Sequence, residues 1–289
     1  MHHTPIIDFA QHLLEEDELD PIYTALWEMK TRVNRHQVER WLFAYWCFYH
    51  AGLASFLSEH DDESYWKLFL EAAENKTESP VGGRWPRGKE RRYFRGDICV
   101  KATRSYMQQT PEDIVKSFAF AAQEDSRYEK VAAKIQKLPL FGPWISFKVC
   151  DMLERVLGTH VDFTESAIFM FKDPTEAVWM LWRLNTGQDI NDKTIMPQGQ
   201  RDQSGIIHGV VEYLQHKLNR MGYVAPPAGD RQLNLQEIET VLCKWKSHVR
   251  GHYPFHNDKT EINDGLAPWT TVSPSAKLFS DLMPKIKNK

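Results

Sequence analysis

Apolar residues recur at intervals of three and four along most of the chain. Ile114, Phe118 and Ala121 do so, and so do Leu235, Ile238, Leu242 and Trp245. That spacing gathers them on one face of a helix. No alternating run is long enough to predict a strand, so the pattern predicts an all-α protein. Helix starts are marked by chemistry as well as by period. Thr110-Pro111-Glu112-Asp113 offers an N-cap, a proline suited to the first helical position and acid in the first turn. Ser126 with Glu129, and Asn234 with Glu237, have the spacing of capping boxes. Asp173-Pro174-Thr175-Glu176 reads as a further start, and the stretch 22–58 is helical in composition and strongly aromatic. Irregular loops are predicted at roughly 76–97, 186–202, 222–233 and 252–275. No internal repeat stands out, and no domain boundary is visible.

One break in the pattern is unusually short. A helix predicted at about 127–137 runs into Leu138-Pro139-Leu140-Phe141-Gly142, and Pro143 is suited to open the next helix at once. The first N–H groups of that second helix have no partner within it and can hold a phosphate oxygen. Such a turn grips a nucleic-acid backbone without reading its sequence. It also suits an ordinary pair of antiparallel helices. One helix later, Val161-Asp162 precedes another apolar run. Asp162 with Glu165 has capping-box spacing for a helix at 163–171. Capping and catalysis are compatible there, because a helix N-terminus keeps an aspartate ionised.

Composition narrows the classes. The 289 residues are enough for one large domain or two small ones, and a composition 42% hydrophobic with ten tryptophans allows a sizeable core. No apolar run reaches the length of a membrane span, and the acidic start lacks the basic region of a signal peptide. The four cysteines stand singly, with no CxxC pair, so neither a zinc ribbon nor a cysteine-held iron–sulfur cluster is expected. Free thiols fit a reducing cytoplasm. Cys243, His248, His252 and His256 lack paired-ligand spacing, because Pro254 interrupts it, and no metal site is predicted.

Charge is uneven. The net charge of −3 argues against a generally basic nucleic-acid binder. Yet the loop 81–96 carries Arg84, Arg87, Lys89, Arg91, Arg92 and Arg95 against a lone Glu90. Arginine forks match phosphate, so this loop is a candidate phosphate site. Lys246, His248 and His252 form a second candidate in CKWKSHVRGHYP, although cations in a last helical turn also suit the helix dipole. Among the aromatics of the 22–58 stretch, Trp46, Tyr49 and His50 are the candidates for a base pocket. Core packing is the competing role, least so for Tyr49 and His50, which carry polar groups.

The hairpin resembles the helix-hairpin-helix of the DNA glycosylase superfamily. Leu138, Pro139 and Gly142 match its turn, and Val161-Asp162 matches its Val-Asp pair, which carries the catalytic aspartate. Leu140 replaces the first turn glycine. Trp144 stands where bifunctional members carry a Schiff-base lysine, so imine chemistry of that kind is not implied. More widely, DPIYTALWEMKTRVNRHQVERWLFAYWCFYHAG, the basic loop, LPLFGPWISFK and CKWKSHVRGHYP resemble a phage branch of that superfamily, the alpha-glutamyl/putrescinyl thymine pyrophosphorylases and amino acid:DNA transferases.

The resemblance implies a glycosylase-like all-α fold, a single bilobal domain over 1–289 with a cleft between two helical lobes. The hairpin would lie within 127–158 and the C-terminal helix and tail at 234–289. It implies an enzyme that displaces pyrophosphate from 5-pyrophosphomethyl-deoxyuridine in phage DNA with an amino acid or polyamine. Asp162 would be catalytic, and Leu140, Phe141, Gly142 and Trp144 would hold the DNA backbone. The partners implied are double-stranded DNA bearing pyrophosphorylated 5-hydroxymethyluracil and a small amine, in the host cytoplasm. No organic cofactor is implied; a magnesium ion on the pyrophosphate is compatible with the reaction, and no sequence feature supports one. A glycosylase that excises a modified base and a non-catalytic DNA-binding hairpin protein are the alternatives.

Overall fold

The computed structural model describes residues 4–164 and 171–286. Among them it holds fourteen α-helices and no strand, only three isolated β-bridges. No described helix is long and apolar enough to cross a membrane. The chain divides into two compact units, residues 21–162 with 258–285, and residues 1–20 with 163–257 and 286–289.

The first unit is built around α3 (Arg35–Phe48), which packs against α4 (Ala51–Ser58), α7 (Pro111–Glu124) and α9 (Pro143–Arg155). Ten positions of α3 are buried, the aromatic-rich run from Trp41 to Phe48 together with Val38 and Glu39. Burying a large aromatic contributes on the order of 2–3 kcal/mol, so α3 anchors the unit. Its polar edges are satisfied inside. Trp41 Nε1 donates to Ser55 Oγ at 2.8 Å and Trp46 Nε1 to Met152 Sδ at 3.2 Å. The predicted helical stretch 22–58 is three helices rather than one, because the chain turns at 30–34 and again at Tyr49, which adopts a left-handed conformation at φ 51°.

The second unit centres on α12 (Leu235–Val249), which packs on α10 (Lys172–Asn185), α1 (Ile6–Glu15) and α11 (Gln200–Arg220). Asn234 and Glu237 form the predicted capping box, and Thr110 caps α7 as its sequence predicts.

Three expectations are corrected. Ser126 does not cap α8 (Tyr128–Ile135). Arg127 occupies that position without a side-chain cap, because Ser126 is drawn into a backbone bridge with Asp162. The loop predicted at 252–275 contains α13 (Asn257–Leu266) and a 3₁₀ turn at Ala267–Thr271, whose Trp269 is buried and so supplies the ordering that local sequence does not. Finally, α10 begins at Lys172, with Phe171 in the capping position and no side-chain cap, so Asp173 lies inside the helix. Glu165 and most of the predicted helix 163–171 lie outside the described residues.

Candidate functional site

The helices α8 and α9 are joined by the turn 136–142, as the sequence predicts. Leu140 is left-handed at φ 64°. This is a conformation that glycine adopts freely and other residues at a cost. The residue that departs from the glycosylase turn therefore keeps the backbone a glycine would favour. Gly142 is different. Its φ of −86° is open to any residue, and a Cβ there would meet nothing within 4 Å. Gly142 caps α9 without a side-chain hydrogen bond, and Pro143 follows at the first helical position. The N–H groups of the first turn thus receive no side-chain acceptor from the capping residue, an arrangement that suits an anion.

The basic loop is bolted to this turn. Arg91 Nε donates to the Cys47 carbonyl at 3.0 Å and Nη1 to the Leu140 carbonyl at 2.9 Å. Its guanidinium lies over the Phe94 and Phe141 rings at 4.9 and 5.6 Å. Tyr106 donates its hydroxyl to the Pro139 carbonyl. Gly88 donates its N–H to the Phe48 carbonyl at 2.9 Å, and a Cβ on it would come within 2.4 Å of the Tyr49 carbonyl oxygen. Only glycine permits that approach. The end of α3, the loop and the turn therefore form one rigid assembly.

Within the loop the cations divide into two kinds. Arg87 donates to the carbonyls of Trp85 at 2.8 Å, of Phe94 and of Ala72, and lies 5.6 Å over the Phe48 ring. Desolvation by burial brings its pKa down to about 10. Arg87 engages all three of its guanidinium nitrogens and Arg91 its Nε and Nη1, so both hold the loop in place. Arg84, Lys89, Arg92 and Arg95 are exposed. Lys89 pairs with Glu261 at 2.7 Å across open surface, a contact worth little. Arg92 lies 4.6 Å over the ring of Tyr93, which is 73% exposed. Tyr93 escaped the sequence reading because nothing in its neighbourhood distinguishes an exposed aromatic from a core one.

The three base-pocket candidates are dispersed by burial. Trp46 is a core residue with no exposed surface. Tyr49 is half-buried, 4.6 Å from the Tyr45 ring and edge-on to Trp144 at 5.1 Å, so it joins the hairpin residue directly. His50 caps α4, its Nδ1 accepting from Leu53 N–H at 3.1 Å. Burial pulls its pKa down to about 4. A neutral ring with Nδ1 accepting carries its proton on Nε2, which leaves an N–H donor at that edge.

Asp162 is half-buried and held by its backbone. Its N–H donates to the Ser126 carbonyl at 2.7 Å, and its carbonyl accepts from Tyr128 N–H at 2.9 Å. The backbone that carries the carboxylate is therefore tied to the start of the hairpin's first helix.

The C-terminal cations belong to the other unit. Lys246 is buried against Asp173 at 2.5 Å. His248 uses both nitrogens, Nδ1 against the Tyr253 carbonyl at 2.8 Å and Nε2 against Thr4 Oγ1 at 3.2 Å, and its ring packs 4.8 Å from both Phe9 and Phe255. His252 alone is exposed. Among the described residues no three His, Cys, Asp or Glu side chains gather as a metal site would require.

Comparison with known proteins gives the chemistry a frame. The family model described as amino acid:DNA transferase matches residues 14–253. A glycinyltransferase of Pseudomonas phage PaMx11 is 41% identical over 288 residues, covering 97% of this chain and 96% of the relative. A putrescinyltransferase of Delftia phage PhiW-14 is 26% identical over 285 residues, covering 97% of this chain and 83% of the relative. On these matches the chain is a transferase that modifies DNA, and it belongs to the amino acid:DNA transferase family.

Proposed function

We propose that the protein replaces the pyrophosphate of 5-pyrophosphomethyl-deoxyuridine in double-stranded phage DNA with the amine of an amino acid or polyamine, in the cytoplasm of the infected cell. The observation that carries the DNA part is the bolted assembly. An uncapped helix start at Pro143, exposed Arg84, Arg92 and Arg95, and exposed Tyr93 share one unit. Open N–H groups and arginine forks suit DNA phosphates and the leaving pyrophosphate alike. A target base must leave the stack to react, and an exposed aromatic such as Tyr93 suits the gap it leaves. The helix-hairpin-helix and its Val-Asp pair support the glycosylase-like reading of the fold.

In the reaction the amine lone pair attacks the methylene carbon on C5, and the C–O bond to pyrophosphate breaks. Free amines are mostly protonated near neutral pH, so a base is needed. In this reading Asp162 takes the ammonium proton, or steadies positive charge at the methylene. Exposed arginines stabilise charge on the departing pyrophosphate, a kind of contact whose loss typically costs about 100- to 1,000-fold. No organic cofactor is called for.

Asp162→Asn tests the reading most directly. The backbone bonds to Ser126 and Tyr128 do not depend on the carboxylate, and Asn is as good a cap as Asp. The variant should keep its melting temperature and DNA affinity while single-turnover rate, read by nucleoside mass spectrometry, falls about 100- to 10,000-fold. Retention of more than about a tenth of the rate sinks the role of Asp162.

A further inference from the structure

An open cavity of about 360 Å³ lies in the unit that contains α10, and the hairpin assembly belongs to the other unit. Lys172, Glu176, Trp179, Arg183, Lys193 and Met196 line it. Arg183 has no exposed surface. It donates to the carbonyls of Ile195 at 2.9 Å and Ile190 at 3.0 Å and to Met196 Sδ at 3.4 Å, which fixes the 190–196 wall against α10. Trp179 is buried and supplies an apolar surface. Glu176 Oε1 accepts from Arg250 at 3.0 Å and lies 3.6 Å from Arg183 Nη1, while among the described residues no hydrogen bond is made to Oε2. Lys172 and Lys193 are exposed and pair with no described residue.

A rigid wall, an apolar surface, two unpaired ammonium groups and one half-engaged carboxylate suit a small ligand carrying both charges. We propose that this cavity binds the α-amino acid co-substrate as its zwitterion. Its carboxylate lies against Lys172 and Lys193, and its ammonium against Glu176 Oε2. The same charges disfavour diamines. Arg183 and Arg250 already offset Glu176, so a dication meets the two lysines with too little negative charge to hold its second end. The cavity is wider than glycine requires, which admits a side chain along Trp179. The choice of amino acid as ligand rests on the function proposed above, whereas the charge preference rests on the cavity alone.

Calorimetric titration of the full chain without DNA tests this, with glycine, putrescine and pyrophosphate as probes. Glycine should bind at one site, at least about tenfold more tightly than putrescine, given roughly 1 kcal/mol per exposed charge contact. The double variant Lys172→Glu/Lys193→Glu should reverse the order, with its melting temperature unchanged because both side chains are exposed. Glu176→Gln should weaken glycine and leave acetate unaffected. Glycine binding unaltered in the double variant overturns the proposal. So does pyrophosphate displacing glycine at wild-type strength from Glu176→Gln, which would make the cavity a phosphate site. Glycine binding in a protein that leaves DNA unmodified would defeat the proposed function and leave this site standing. Glycine transfer by a charge-reversed variant with unchanged Michaelis constant would do the opposite.

Discussion

In the loop 84–95, two arginines are folded inward and three face solvent. In the stretch 246–252, Lys246 and His248 are both engaged by their own unit, and only His252 faces out. As sequences the two stretches are equally convincing phosphate sites. The difference lies in what surrounds them. Arg87 and Arg91 meet the backbone carbonyls of Ala72 and Cys47 near helix C-termini and those of Trp85 and Leu140 in the loop and the turn, and a guanidinium with five donors satisfies several at once. Their work is to hold the loop out, so that Arg84, Arg92 and Arg95 are presented on a fixed frame. Lys246 and His248 instead close a helix end on its neighbours and present nothing. A cationic motif thus acts on a ligand only through those cations its own fold does not consume.

The largest test of that division is Arg87→Ala. Three carbonyls, of Trp85, Phe94 and Ala72, would lose a charged donor within a partly buried site. Hydrogen bonds to charged groups contribute about 1.5–3 kcal/mol each, and their losses do not add fully, so a destabilisation of about 3–4 kcal/mol is expected. Urea denaturation measures it. If Arg87→Ala melts like wild type but binds DNA poorly, the arginine is a ligand group and the inward–outward division fails.

This division was beyond the sequence. Helix type, the capping boxes at Asn234 and the N-cap at Thr110, and the hairpin with its Pro143 start were legible, because each depends on neighbours within a few residues. The Ser126–Glu129 box was misleading because Ser126 bonds Asp162, thirty-six residues away, and no local signal announces that bridge. Trp46 and Tyr49 are three residues apart on an aromatic run, yet one is core and the other meets the hairpin, since only the left-handed turn at Tyr49 ends the burial. Of the cavity residues, Lys172 and Lys193 belonged to no motif and Glu176 only to a helix start. They are brought together by the buried fork of Arg183, whose partners lie seven and twelve residues on.

Histidines extend the same contrast to pH. Burial lowers the folded-state pKa of His50 to about 4, against an ordinary 6.5. Above pH 6.5 neither folded nor unfolded chain protonates this ring, so it makes no difference. As pH falls from 6.5 towards 4 the unfolded chain takes a proton that the folded chain refuses, and the folded state loses up to about 3 kcal/mol. His50→Asn keeps an N-cap acceptor for Leu53 without a titrating ring. Its melting temperature should therefore fall less than that of wild type between pH 7.5 and 4.5. Parallel falls would mean that His50 is protonated in the folded protein and belongs with the exposed cations.

The smallest effect separates the two stretches most cleanly. Each phosphate contact contributes about 0.9 to the slope of log affinity against log salt on duplex DNA. Arg84, Arg92 and Arg95 are exposed on a frame that Arg87 and Arg91 hold, so alanine at all three should leave the melting temperature within about 1 °C. The slope should flatten by up to about 2.7, and by less if one arginine faces pyrophosphate rather than the DNA backbone. Lys246→Ala is the matched control. Its ammonium is buried against Asp173, so its removal should lower stability and leave the slope unchanged. Fluorescence anisotropy of a labelled duplex from 50 to 300 mM salt reads both. A flat response in the triple variant, together with a lost unit of slope in Lys246→Ala, would reverse the assignment. It would move the DNA-binding surface to the unit that carries the C-terminal cations.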